Sequence, residues 1–424
     1  MQFKFDLVDG VAAGKEKKSS GKKAAANGYV SSIWQFSDGP AKALYRWYGT
    51  LPTSLVEQLF ELYCASGATF FDPFTGSGTS LEAASLRGIS AIGWDTNPLA
   101  CLISAVRCEG GGPRFGADVN RALLKIEKKL EEPSHRSRQG SEKSFVAKYS
   151  YTQKWLRTDT LRRLIQLLEA ISEVSDTSIQ RLLFVLFAQE VRGVASVDPR
   201  CTHHLVGKEK PFIDAWVNLK ASALAAPSLV KERGSIKKAA AICQKSVLVD
   251  DLSGPVDFVL AHPPYLGVIH YHLIHRLATD LLGFARETWA PNSLLPYRFD
   301  SEFVKGRDVS TDNDAPYREF VRDFAVGMSS KVKHGGVCAV IIGDQRYKGR
   351  LRHPFTDFIA DFESNGFALE ENFIWALNNN GGMHVLRRGH FIDHNYVLIF
   401  RRTDATAPKS RDISSRPRRG RPSD

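Results

Sequence analysis

No run of about 18 apolar residues occurs anywhere in this sequence, so no membrane-spanning helix is expected. The opening residues, MQFKFDLVDG, lack the apolar stretch of a secretory signal, which argues against export. Six cysteines (Cys64, Cys101, Cys108, Cys201, Cys243, Cys338) stand apart without a C-x-x-C pair. A disulfide frame and a zinc knuckle are therefore not expected, and reduced thiols in the cytoplasm are. Acidic charge is the minority, 46 Asp and Glu against 57 Lys and Arg. Of the net +11, residues 1–28 carry +3 and residues 401–424 carry +5, which leaves only +3 for the body. A polyanion would be drawn mainly to the two ends.

What remains is an ordinary globular composition, 43% apolar and 24% charged over 424 residues, enough for one large α/β domain or two smaller ones. Residues 1–28 read as a flexible basic arm rich in Lys, Ser, Gly and Ala. "LPTSLVEQLFELYCASG" (51–67) reads as a helix, with Ser54 and Glu57 as a capping box and an apolar stripe behind them. "ATFFDPF", "TSLEAASLRG" and "ISAIGWD" follow as strand, helix and strand, a βαβ unit that implies a parallel sheet. From 111 to 240 the spacing turns helical and predicts an inserted subdomain. Strand patterns return at 245–252, 256–261, 335–344, 372–377 and 395–400, so the catalytic domain is expected over 29–110 and 241–402. Residues 403–424, rich in Arg, Ser and Pro, read as a disordered tail.

"FFDPFTGSGTS" (70–80) sets Gly76 and Gly78 between a strand and a helix, where a backbone can approach a ligand and a helix N-terminus supplies N–H donors. No lysine follows as in a phosphate loop, and Leu81 breaks a full G-x-G-x-x-G. Asp95 ends the next strand, where a carboxylate can hold two ribose hydroxyls. The turn alone does not separate a nicotinamide dinucleotide from S-adenosylmethionine.

A second segment, "VDFVLAHPPYLGVIHYH" (256–272), ends an apolar run in two prolines and a tyrosine. With it, the chain resembles the amino-group DNA methyltransferases that use S-adenosylmethionine and act on cytosine N4 or adenine N6. Asp-Pro-Phe-x-Gly-Ser-Gly-Thr of that family is matched from Asp72 through Phe74, Thr75, Gly76 and Gly78 to Thr79. "GWDTNP" resembles its second motif, with Asp95 on the ribose and Asn97 beside it. "VLVDDL" is similar to its third, with Asp250 or Asp251 facing the adenine. "YRWYGTLPTSLVEQLF" (45–60) is similar to the motif that lies against the methionine end of the cofactor. His262, Pro263, Pro264 and Tyr265 match the family's (Asp/Asn/Ser)-Pro-Pro-aromatic loop. The resemblance implies a seven-stranded, mostly parallel Rossmann-like sheet whose last strands form an antiparallel hairpin.

An exocyclic amine is a poor nucleophile, because its lone pair is delocalised into the ring. Two acceptors on its hydrogens, one side chain and the Pro263 carbonyl, favour a pyramidal nitrogen whose lone pair can face a sulfonium methyl. The prolines fix that carbonyl by locking φ; Tyr265 offers a stacking face, and the base must first leave the duplex. His262 departs from the family pattern. A neutral imidazole has one bare nitrogen to accept with, so activity is expected to fall below about pH 6.5 as the ring protonates.

"HYHLIH" (270–275) and "CTHH" (201–204) match no zinc spacing, and no metal is expected; Tyr271 and His272 are candidates for the base pocket. Arg419, Gly420, Arg421 and Pro422 resemble an AT-hook core for a narrow minor groove. Target recognition is expected in the insertion 111–240 or in 286–333. The expected partner is duplex DNA, with a restriction or defence component alongside and no membrane, in a cytoplasmic, nucleoid-associated enzyme. An RNA amino-methyltransferase and a DNA-binding relative with weak catalysis are the alternatives.

Overall fold

Phe70 and Phe71 point to opposite faces of one strand, and this two-residue alternation divides the core. In the computed structural model the described residues are 32–36, 44–132, 136–198, 207–233, 235–266, 269–294, 296–299, 314–347, 350–377 and 394–403. The main sheet has eight strands. They are β1 (Ser32–Gln35), β2 (Thr69–Asp72), β3 (Ser90–Asp95), β4 (Ala241–Gln244), β5 (Val256–Ala261), β6 (Val332–Gly343), β9 (Phe367–Ala376) and β10 (His394–Arg402), while β7 (Gln345–Tyr347) and β8 (Arg350–Arg352) form a separate hairpin. Across the main sheet the order is β1-β9-β10-β6-β5-β2-β3-β4. All neighbours are parallel except β10, which runs antiparallel to both β6 and β9.

Six of the seven expected strands are present where expected, and β1 is an unexpected strand, added at the edge beside β9, where Trp34 stacks on Phe373 at 4.1 Å. A second correction concerns the strand expected at 245–252. Pairing with β3 ends at Asp95↔Gln244, so β4 occupies 241–244 and the "VLVDDL" segment lies beyond it in a turn.

Helices α1 (Thr53–Tyr63), α2 (Thr79–Arg87) and α3 (Pro98–Glu109) flank the first strands, and α10 (Tyr271–Ile274), α11 (Arg276–Trp289), α12 (Asp314–Lys331) and α13 (Pro354–Ser364) accompany the later ones. On one face Phe70, Phe258, Leu260, Ile341 and Val397 pack against α1 and α2. On the other, Phe71, Val259, Val340, Leu398 and Phe400 pack against Phe324 of α12 and Phe362 of α13. Burial on both faces explains why β5 and β6 read as unbroken apolar runs rather than alternating ones.

Between α3 and β4 come α4 (Phe115–Glu131), α5 (Arg136–Lys148), α6 (Ser150–Gln153), α7 (Thr158–Ser172), α8 (Thr177–Val194) and α9 (Ala215–Arg233). Asp176 caps α8 by accepting the Ile179 N–H at 3.0 Å. These helices do not have a core of their own. Leu164, Leu183 and Phe187 share one cluster with Leu102 and Ile103 of α3 and Leu281 and Leu282 of α11. Among the described residues no helix is long and apolar enough to cross a membrane.

Candidate active site

Strands β2 and β5 are neighbours, with Phe70 opposite Phe258 and Phe71 opposite Val259. The glycine turn and the proline pair therefore leave adjacent strand ends, at the carboxyl edge where open α/β sheets bind ligands. They line one cavity, which encloses about 1170 Å³ of space, the open mouth included.

The turn is built from local bonds. Asp72 is buried, accepts the Phe74 N–H at 2.9 Å and takes a hydrogen bond from Ser80 Oγ. Burial pushes its carboxyl up to about 7, against those two hydrogen bonds. Gly76 and Gly78 have φ of +48° and +77°, the left-handed region a side chain disfavours. A Cβ on Gly76 would sit 2.8 Å from Trp47 Nε1, and one on Gly78 would sit 2.8 Å from Ser104 Cα. Gly76 lines the cavity, whereas Gly78 is packed against α3 and is not part of the lining. From behind, Arg107 donates to Ser77 O at 3.0 Å and to Thr79 Oγ1 at 3.1 Å, and pairs with Glu82. Phe74 reaches the cavity wall beside Phe320.

Asp95, at the end of β3, accepts the Gly76 N–H at 3.0 Å on one oxygen and the Asn97 N–H at 2.8 Å on the other. A carboxylate that accepts on both oxygens is the chemistry that suits ribose hydroxyls. Asn97 caps α3 through Leu99 N at 3.0 Å. Its amide nitrogen and Thr75 Oγ1 are buried in the cavity lining with no hydrogen-bond partner. Buried polar atoms are rarely left so, and these two fit the hydroxyls and polar edges of a nucleoside-bearing cofactor. Asp250 and Asp251 are not in the lining. Because β4 stops at Gln244, Asp250 turns back to accept the Ser246 N–H at 2.8 Å, while Asp251 is 93% exposed, 3.8 Å from Lys331. Lys245, Ser246, Val247 and Leu248 form that wall instead.

After β5, His262, Pro263, Pro264 and Tyr265 all line the cavity. His262 Nε2 lies 3.1 Å from Tyr265 Oη, which donates to Asn395 Oδ1 of β10 at 2.9 Å. A tyrosine hydroxyl has one hydrogen, so with that donated to Asn395 its oxygen accepts from His262 Nε2. Desolvation pushes the imidazole down to about 4, despite a hydrogen bond to the Gly49 backbone. Desolvation thus moves protonation of the ring below the pH 6.5 of an unperturbed imidazole.

The facing wall was not foreseen residue by residue. Trp47 packs against both Tyr271 (centroids 5.5 Å apart) and His275 (4.4 Å, interplanar angle 9°), which are themselves 6.2 Å apart, and His275 Nδ1 bonds Tyr45 Oη at 2.8 Å. Tyr271 Oη donates to the Tyr48 carbonyl at 3.0 Å, and Gly49, Thr50, Leu51 and Ile269 complete the wall. The aromatic run "YRWYG" is the sequence signal for it. Tyr271 is in the lining and His272 is not. Among the described residues no cluster of His, Cys, Asp or Glu could hold a metal. The segment "CTHH" and Arg419, Gly420, Arg421 and Pro422 lie outside the described residues.

Residues 8–105 match the N6/N4 methyltransferase family described as DNA methylase. Among characterised proteins, the Type II methyltransferase M.MvaI of Kocuria varians is 25% identical over 127 residues, 30% of this chain and 27% of that protein. The Type II methyltransferase M.MjaII of Methanocaldococcus jannaschii is 23% identical over 180 residues, 41% of this chain and 32% of that one. The chain thus spans less than a third of the length of the relatives it matches. Among solved structures, TrmN from Thermus thermophilus overlays with a TM-score of 0.29 at 12% identity, covering 84% of this chain and 50% of that one. The rRNA methyltransferase AviRa from Streptomyces viridochromogenes gives 0.30 at 12%, covering 86% and 88%. These overlays are too low to bear on function. The family match spans the glycine turn and Asp95, and over that stretch the chain is similar to the DNA methylases.

Proposed function

We propose that this chain transfers a methyl group from S-adenosylmethionine to an exocyclic amine, cytosine N4 or adenine N6, of a base turned out of duplex DNA. The observation that carries this reading is the single cavity shared by the glycine turn and the proline pair on adjacent strand ends. The cofactor supplies an electrophilic methyl group on a sulfonium. Gly76, Thr75, Asp95 and Asn97 would hold its adenosine half, with Val247 and Leu248 against the ring and Asp72 near its cationic part. Pro263, its φ locked, presents a carbonyl to one amine hydrogen. His262, kept neutral by burial, takes the other when its ring exchanges a present hydrogen bond for the incoming base. Tyr265 and Tyr271 supply aromatic edges and faces, and the Trp47 wall keeps water from the turn.

The helices α4–α9 are the proposed site of target recognition, and the named Type II relatives suggest the modification half of a restriction–modification pair. Tritiated methyl transfer from S-adenosylmethionine tests the reading, with duplex DNA, tRNA and rRNA offered in parallel. Label in the duplex alone is expected. Label confined to RNA would move the chain to the RNA enzymes, and cofactor binding without transfer to any of them would leave a binding protein.

A further inference from the structure

Pro263 and Pro264 carry no backbone N–H, so the loop that leaves β5 has no ladder bonds of its own across the proline pair. Its entrance is held by the sheet, where Ala261 pairs with Val340 of β6. Its exit is held by a side chain. The Leu266 N–H donates at 2.8 Å to Oε1 of Gln345, a residue only 1% exposed, and Gln345 Nε2 donates to Tyr317 Oη of α12 at 3.3 Å. Leu266 and Tyr317 are buried as well, and neither Gln345 nor Tyr317 is part of the cavity lining.

The small hairpin sets the position of this amide. Gln345 opens β7 and stands opposite Arg352 of β8, and Arg352 Nε donates to Asp314 Oδ1 of α12 at 3.0 Å, one turn before Tyr317. The hairpin is thus fastened to α12 at two points, with Gln345 reaching from it to the loop. Beside it, Asn395 of β10, opposite Gly343 in register, accepts the Tyr265 hydroxyl at 2.9 Å. Two buried amides therefore grip the consecutive residues Tyr265 and Leu266. Leu266 and Tyr317 both belong to the apolar cluster on this face of the sheet, where an apolar side chain would pack without the cost of desolvating an amide. Packing alone does not account for Gln345; an oxygen aimed at the loop backbone does.

We infer that Gln345 is a positioning residue for methyl transfer: by holding Leu266 it fixes the direction of the Pro263 carbonyl and the setting of Tyr265 toward the incoming amine. The inference rests on the reading that the proline loop receives an exocyclic amine of a DNA base.

The test measures single-turnover methyl transfer to duplex DNA, cofactor affinity and melting temperature on the full chain, with Gln345→Met, Gln345→Glu and Tyr317→Phe. Met keeps the length and removes both bonds; a loop displaced by about 1 Å costs roughly a hundredfold in rate, and that fall is expected at unchanged cofactor Kd. Glu retains an oxygen for the Leu266 N–H and should restore most of the rate. Tyr317→Phe frees only the far end of the amide and should give a smaller fall, again without a change in Kd. A wild-type rate in Gln345→Met would overturn the inference and leave the proposed function standing. A loss that Glu does not restore, or that weakens cofactor binding in step, would overturn it as well, because a merely structural residue behaves that way. Should Gln345→Met not fold, Tyr317→Phe decides, and a wild-type rate there overturns the inference. Wild-type protein that binds the cofactor but methylates no nucleic acid would end both.

Discussion

His262 stands where the methyltransferases that the chain resembles carry Asp, Asn or Ser, and its surroundings decide what it can do. Desolvation holds the ring neutral down to about pH 4, so between pH 8 and 5 the chemical step should show no ionisation of this residue. Single-turnover rates across that range check this; a loss of activity centred near pH 6.5 would mean that the ring is solvated in the working enzyme. Asn395 and Tyr265 hold the imidazole from below. Tyr265→Phe should therefore reduce kcat more than cofactor affinity, because it frees the ring without touching the glycine turn. Asp72 behaves in the opposite sense. Its carboxyl is raised to about 7, so below that pH it is increasingly protonated in the free protein. If it meets the positive charge of the methyl donor, binding releases that proton. Affinity should then fall up to tenfold per pH unit on acidification below 7. Calorimetry with Asp72→Asn checks this: the variant should bind more weakly at pH 8 and lose the dependence. The same shifts act on stability. Asp72 favours the fold at low pH, a contribution lost as pH rises from about 4 through 7, whereas His262 disfavours it as pH falls from 6.5 toward 4.

At the scale of elements, the turn between β2 and α2 depends on a residue well outside it. Arg107 of α3 holds Ser77 O and Thr79 Oγ1 while paired with Glu82. Arg107→Ala leaves Glu82 buried without its partner and the turn without its brace, and should raise the cofactor Kd roughly tenfold, at a stability cost of about 3 kcal/mol. Arg107→Lys should recover part of the stability but less of the affinity, since an ammonium lacks the guanidinium's fork; equilibrium binding and thermal melting separate the two. The glycine turn was legible in the sequence because its chemistry is local: an acid, two glycines and a helix start within nine residues fix the backbone between them. The third acidic position was not. Where β4 ends is decided by its pairing with β3 down to Asp95↔Gln244, a long-range fact, and that places Asp250 in a turn that uses its carboxylate for itself. The Trp47 wall was legible only as an aromatic run, because its partners Tyr271 and His275 are more than two hundred residues away in the chain.

On the scale of the molecule, a mostly parallel sheet closed by antiparallel strands could be anticipated, but its strand order and the edge strand β1 could not. Its four residues carry too little pattern to stand out. The helical segment could be seen as an insertion; its fusion with the sheet domain through Leu102, Ile103, Leu281 and Leu282 could not, since that depends on which faces meet. Because the cluster is shared, the helices and the cofactor-binding sheet should melt together. Leu183→Ala, at a fully buried position in α8, should cost about 2–5 kcal/mol and lower one common transition, followed by tryptophan fluorescence and circular dichroism. Two separated transitions would mean that the insertion is an independent body. The most direct test of the whole account is where the methyl group goes. After incubation with duplex DNA and labelled S-adenosylmethionine, digestion to nucleosides and mass spectrometry should find the label on N4 of cytosine or N6 of adenine. Label on a ring carbon, or an unmodified duplex in the presence of bound cofactor, would contradict a cavity built to join a methyl donor to an exocyclic amine.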